Sequence, residues 1–204
     1  MVNAMLCILG RSGAGKDTLA MRIEEKYGLD RVISYTTRPK RQGETGTHIF
    51  VTKEEANRLT DRAAETKIGE YEYFTTEDQI DTCDIYVIDP IGLDQLTKRF
   101  PDRNFLAVYV SSDPMEARKH AIIRGKSEKE GAIFDRRRLA EDEEFSRFES
   151  KAKSCDGRYC DNCEVMWINN DYTKECMDNA VEQVVNRYLE IGAELIRSSW
   201  EPFR

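Results

Sequence analysis

The chain has 204 residues, and its 38 Asp and Glu outnumber 31 Lys and Arg for a net charge of −7. At ~150 residues per domain, that length fits one domain, with or without an insertion. The negative balance speaks against a general nucleic-acid or anionic-membrane binder, and no stretch approaches the ~18 apolar residues of a membrane-spanning helix.

Residues 1–10 carry no charged leader and no small-residue cleavage site, so a signal peptide is not expected and the chain reads as cytoplasmic. Residues 5–9 form a continuous apolar run, the mark of a strand buried on both faces. The run passes into Gly10-Arg11-Ser12-Gly13-Ala14-Gly15-Lys16-Asp17-Thr18. Glycines at these spacings let the backbone curl so that successive N–H groups point at phosphate oxygens. A helix predicted at 18–27 turns its positive end to the same anion. Lys16 is placed to reach the β and γ phosphates of a nucleotide. Asp17 stands where such loops carry the Ser or Thr that takes Mg²⁺; Asp17 or Thr18 can hold that metal, or Asp17 simply caps the helix.

A second strand, predicted at 30–35, leads into Ser34-Tyr-Thr-Thr-Arg38-Pro-Lys-Arg41. Its hydroxyls and two arginines three apart suit a phosphate group, which guanidinium groups bind in a planar, two-pronged way. Residues 36–82 then hold β-like pieces at 48–51 and 71–75 around a helix predicted at 53–65, an insertion on the sheet. Further buried strands are predicted at 85–88, 105–110 and 165–168, with helices at 92–99, 113–124, 132–153 and 173–197. Asp89 ends one of these strands, where it serves a ligand, a magnesium ion or only the turn before Pro90. Residues 124–138 read as a mobile, positively charged flap that carries Arg124, Arg137 and Arg138. Strands alternating with helices imply a mainly parallel sheet, with ligands at the carboxyl ends of its strands.

Six cysteines in a cytoplasmic chain do not predict disulfides. Cys160-x2-Cys163 with Cys155 has part of a zinc spacing, but a closed site takes four ligands. The fourth cysteine, Cys176, falls on a predicted helix and no histidine is near, so free thiols in a surface loop are the preferred reading and zinc the lesser one.

The glycine loop, Ser34-x-Thr-Thr-Arg38-Pro-x-Arg41-x-Gly-Glu and His48-x-Phe-Val together resemble guanylate kinase. The likeness continues collinearly through Gly69-Glu-Tyr71, Ile88-Asp89-Pro-Ile-Gly92, Arg124-Gly125, Arg137-Arg138-Leu139 and Ile168-Asn169-Asn170-Asp171. The resemblance implies a P-loop kinase fold over a single domain, 1–204: a mainly parallel five-stranded sheet flanked by helices, an acceptor-binding insertion at about 36–82 and a lid at about 124–138. It implies ATP as donor on residues 10–18 with Asn169 near its base, and Mg²⁺ as cofactor. Ser34, Arg38 and Arg41 would hold the acceptor phosphate. His48 stands where the family has a tyrosine, and Tyr73, Thr75 and Asp89 would serve the acceptor, Asp89 by accepting from guanine. Lys16, Arg38, Arg124, Arg137 and Arg138 would stabilise the transferring phosphate. The expected ligands are small-molecule nucleotides, with neither nucleic acid nor membrane as partner, in a monomer or homodimer.

The leading expectation is phosphoryl transfer from ATP to GMP or dGMP. The pair Lys16-Asp17 and His48-Ile is also similar to ribose 1,5-bisphosphate kinase, whose acceptor is a phosphosugar, and an unusual nucleotide is a third acceptor. A non-catalytic guanylate-kinase-like binding module is the reading from another class; such domains typically lose the loop lysine, which is present here as Lys16.

Overall fold

The computed structural model describes residues 4–40, 46, 48–125 and 127–200. Among the described residues it holds two sheets and seven helices. β1 (Ala4–Leu9) leads through the glycine loop into α1 (Lys16–Tyr27). β2 (Tyr35–Thr36), β3 (Ile49–Phe50), α2 (Lys53–Ala56), β4 (Arg62–Ile68), β5 (Tyr71–Thr76) and α3 (Glu77–Thr82) follow. The chain then runs through β6 (Ile85–Val87), α4 (Pro90–Arg99), β7 (Asn104–Ser111), α5 (Pro114–Gly125) and α6 (Glu128–Ser154). It continues through β8 (Arg158–Cys160) and β9 (Cys163–Asn169) to α7 (Lys174–Trp200).

The main sheet has the order β6-β1-β7-β9-β8. β1 pairs parallel with β6 and β7, and β7 parallel with β9, but β8 runs antiparallel to β9, so the sheet is mixed. All six residues of β1 are buried, and alternation along the strand divides them between two cores. Met5, Cys7 and Leu9 face Leu93 and Leu96 of α4 and Phe145 and Phe148 of α6. Leu6 and Ile8 face Leu19 and Ile23 of α1 and Val184 and Tyr188 of α7. The second sheet has the order β3-β2-β5-β4, and Tyr35 stacks on Phe74 across it at 5.3 Å.

Four expectations are corrected. The strand expected at 30–35 does not enter the main sheet. Arg31 makes one isolated bridge to Ile85, and Tyr35–Thr36 pair with β3 and β5, because the polar chain crosses here from one sheet to the other. The helix expected at 53–65 stops after Ala56, behind a capping box of Thr52 and Glu55. Pairing with β5 then overrides local propensity and makes 62–68 a strand, with Ala63 and Ala64 buried. The flap at 124–138 is helical from Glu128 onward: Ser127 caps α6, and buried Phe134 packs with Ala117 and Ala121 of α5. The fifth strand of the main sheet is β8, in the segment expected to be a loop.

Phe148 is 2% exposed and stacks on Tyr109 at 5.6 Å and on Tyr159 at 5.1 Å. We expect Phe148→Ala to lower stability by about 3–5 kcal/mol, read as a drop in the urea midpoint.

Candidate active site

The glycine loop lies where β1 reaches the edge of the sheet, and its shape is fixed by crowding. A Cβ on Gly10 (φ 153°) would sit 2.3 Å from the Val110 carbonyl oxygen of β7. On Gly15 (φ 96°) it would sit 2.4 Å from Asn170 Nδ2. Both positions therefore demand glycine, on space and on backbone angle. Asn170, 2% exposed just beyond β9, donates from Nδ2 to the Ala14 carbonyl at 2.9 Å and accepts from the Tyr172 N–H at 2.9 Å. The Tyr172 hydroxyl donates to the Gly13 carbonyl at 2.8 Å and lies 3.0 Å from Ser112 Oγ. Two loop carbonyls are thus tied down from the β9–α7 turn. Lys16, half-buried, opens α1, and Asp17 and Thr18 are exposed on its first turn.

α6 leans over the loop. Arg138 Nη1 donates to the Ser12 carbonyl at 3.3 Å. Glu141 accepts from the Ser12 N–H at 2.8 Å and from its hydroxyl at 2.5 Å, held as an anion would be held. Arg11, expected at the donor nucleotide, turns toward α6 and β7 instead. Its guanidinium donates to Tyr109 Oη at 2.8 Å, Ser146 Oγ at 3.1 Å, Asp142 at 3.2 Å and Glu149. Arg11, Arg138, Lys153, Tyr109 and Trp167 line a cavity of about 200 Å³. Arg138 is thus one flap arginine at the loop, while Arg124 at the end of α5 and Arg137 on α6 are exposed. Asn169 is exposed at the end of β9, its Oδ1 3.4 Å from Ser111 Oγ.

A second cleft, of about 120 Å³, opens between the two sheets and is lined by Ser34, His48, Tyr73, Tyr86, Asp89 and Thr66 among others. Ser34 Oγ lies 2.9 Å from His48 Nδ1. Arg38, 8% exposed, donates from Nε to Tyr73 Oη at 3.1 Å and from Nη1 to the Pro39 carbonyl at 3.0 Å, with Phe50 5.2 Å away. The His48 ring meets Tyr73 edge-on at 5.5 Å. Four residues expected at the acceptor therefore gather beside one another. Asp89 caps α4 by accepting from the Gly92 N–H at 2.7 Å. Thr75 does not join them: it is fully buried, and its hydroxyl donates to Gln79 Oε1 at 2.8 Å. Arg41 lies outside the described residues.

Sequence reading missed Asn170, Tyr172, Glu141 and Glu144 as parts of the site. Glu144 reaches from α6 to accept from the Ile91 N–H at 3.2 Å. Burial and then the neighbouring Asp89 raise its pKa above the ordinary carboxylate value. The doubled Asn after a strand was a signal for Asn170, whereas nothing in a run of acidic residues on a long helix singles out Glu141 and Glu144. Cys155 is exposed, Cys160 half-buried and Cys163 buried, and the described residues hold no group of three or more His, Cys, Asp or Glu placed to bind a metal ion.

No family model and no curated protein matches the sequence. Among solved structures, guanylate kinase from Anaplasma phagocytophilum superposes with a TM-score of 0.60 at 17% identity, over 100% of this chain and 97% of that one. An uncharacterized protein from Eubacterium ventriosum ATCC 27560 gives 0.44 at 12% identity, over 90% of this chain and 98% of that one. The chain has a guanylate-kinase-like P-loop fold.

Two outcomes follow from this geometry. Asn170→Ala leaves the Ala14 carbonyl and the Tyr172 N–H without their partner, and should cost about 1–3 kcal/mol, measured by urea unfolding. Glu144→Gln tests the raised carboxyl. The folded chain holds that proton more tightly than the unfolded chain, so its charged form is a penalty that is absent below the ordinary carboxylate pKa and complete above the raised one. The variant should gain urea midpoint over the parent at pH 7 and lose the gain at about pH 4, close to the unfolded glutamate value.

Proposed function

We propose, on this fold, that the protein transfers the terminal phosphoryl group of ATP to a nucleoside monophosphate, GMP or dGMP foremost. The observation that carries the reading is the pairing of two sites. A glycine loop with Lys16 stands at one strand end, and a separate cleft lined by Ser34, His48, Tyr73 and Asp89, with Arg38 bonded to its Tyr73, lies beside it. In this reading 1–204 is a single kinase domain, with 36–82 as the acceptor-binding insertion and 124–138 as the lid.

Phosphoryl transfer needs little covalent help from a protein; it needs two substrates in line and positive charge where negative charge spreads. Lys16 and Arg138 supply that charge on the donor side. Ser34 and Arg38 supply hydrogen bonds and charge on the acceptor side. His48 Nδ1 lies against Ser34 Oγ, and the tautomer in which Ser34 donates leaves the Nε2 proton for the acceptor phosphate. Asp89 keeps one oxygen on the Gly92 N–H and offers the other to a guanine edge. Asp17 and Thr18 are oxygen donors on the exposed first turn of α1, a set that fits Mg²⁺, which takes one or two protein oxygens and completes its shell with phosphate and water. Held there by Asp17 and Thr18, Mg²⁺ would supply charge neutralisation at the phosphates.

One observation favours a phosphosugar such as ribose 1,5-bisphosphate as the second reading. The cleft of about 120 Å³ is small beside the ~300–1,000 Å³ usual for ligand pockets. Coupled ADP-release assays with Mg-ATP against GMP, dGMP, AMP, CMP, UMP, dTMP and ribose 1,5-bisphosphate separate the readings. We expect turnover with GMP or dGMP. Turnover with the phosphosugar alone moves the acceptor, and ATP binding without turnover on any acceptor supports a binding module. Lys16→Ala should lower kcat by about 10²–10³-fold. Asp89→Asn, which still caps α4, should lower kcat/KM for GMP by about 10–100-fold and leave KM for ATP unchanged.

A further inference from the structure

The cysteine group holds a feature that nucleotide chemistry does not use. β8 and β9 are joined by the two-residue turn Asp161-Asn162, and Cys160 and Cys163 are directly opposed across it. Opposed residues of an antiparallel pair have Cα atoms about 4.5–5.5 Å apart, within the ~4.4–6.8 Å that a disulfide spans. The two opposed thiols are unequal. Cys160 is half-buried, while Cys163 is fully buried on the main core. The Cys163 thiol donates toward the Cys160 sulfur and, against the effect of burial, brings the Cys160 pKa down to about 6. The Thr97 hydroxyl, the Asn162 N–H and Lys151 act in the same direction. Cys163 is driven the opposite way, by that same hydrogen bond and by burial.

The turn between the two cysteines is anchored. Asn162 Nδ2 donates to the carbonyls of Thr97 at 3.2 Å, Phe100 at 3.1 Å and Arg103 at 3.1 Å. Asn162 Oδ1 accepts from the Cys160 thiol at 3.1 Å. The hairpin is thus held against the end of α4, with Cys160 and Cys163 kept opposite one another.

We propose that Cys160 and Cys163 form a reversible dithiol–disulfide pair, with Cys160 the attacking thiol, Cys163 the resolving thiol, and a small-molecule disulfide of the glutathione class as oxidant. The Cys160 thiolate attacks one sulfur of the oxidant; the oxidant's S–S bond breaks and one glutathione thiolate leaves, taking a proton from water. Cys163 then gives up its proton, and its sulfur displaces the second glutathione from Cys160. That leaving thiolate takes up the Cys163 proton. Two protein thiols are oxidised to one disulfide, and one oxidised glutathione is reduced to two thiols. Burial of Cys163 is no obstacle, because the sulfur it attacks belongs to the residue directly opposite it across the hairpin.

The full chain is treated with oxidised glutathione, quenched with an alkylating reagent and mapped by peptide mass spectrometry. We expect a Cys160–Cys163 disulfide in the parent protein, and in Cys163→Ala a glutathione adduct that stays on Cys160. A lasting adduct on parent Cys160, or oxidation confined to Cys83, Cys155 or Cys176, overturns the proposal. The parent map decides even if the variant fails to fold. As a second readout, Cys160 in the reduced parent should react with iodoacetamide at neutral pH about fourfold faster than an ordinary thiol, its larger thiolate fraction offset by weaker nucleophilicity. Cys163→Ala should lose that advantage, and an unchanged rate argues against the thiol–thiol contact.

Discussion

Backbone crowding around the glycine loop governs one half of the candidate site. Gly10 passes so close to the Val110 carbonyl, and Gly15 so close to the Asn170 side chain, that neither position has room for a Cβ. The approach exists because β1 lies between β6 and β7, with β9 next to β7, so that loops leaving three parallel strands meet at one edge. Asn170 and Tyr172 then convert that meeting into specific hydrogen bonds to loop carbonyls. Crowding sets the curve of the loop and the hydrogen bonds hold it, before any ligand arrives.

α6 joins the two halves of the site. Within a few residues it sends Arg138 and Glu141 to Ser12 and Glu144 to the first turn of α4, whose cap is Asp89. One face of one helix therefore touches the glycine loop and the helix whose cap lines the second cleft. The cations do not act alone: Arg11 is held by two acidic side chains, Glu149 and Asp142, while Arg38 is held by Tyr73 and the Pro39 carbonyl. A chain of net charge −7 still concentrates positive groups at a few points by surrounding the rest with carboxylates.

The parts legible in the sequence were those where a local pattern and the tertiary demand agree. Continuous apolar runs marked β1, β6, β7 and β9, and the glycine spacing marked the loop. Helical spacing marked α1 and α4 to α7. The failures have one physical cause: long-range partners overrode local preference. Residues 62–65 look helical until β5 supplies their hydrogen bonds, and 30–35 look like a core strand until the chain must cross between sheets. At the site, Ser34, Arg38, His48 and Tyr73 were readable because each belongs to a short motif. Glu141, Glu144 and the opposition of Cys160 to Cys163 were not, since their meaning comes from what a distant helix or a hairpin turn brings opposite them.

The aromatic group beneath the loop gives the protein an optical property of its own. Trp167, 38% exposed, lies 4.9 Å from Tyr109, with the Lys153 ammonium 5.4 Å from its indole ring. Tyr109 in turn accepts from Arg11 inside the glycine loop. The sequence has one other tryptophan, Trp200, at the last position of α7. An indole half in water, beside a cation and one ring away from the loop, makes the intrinsic fluorescence of this chain a direct report on the position of Arg11.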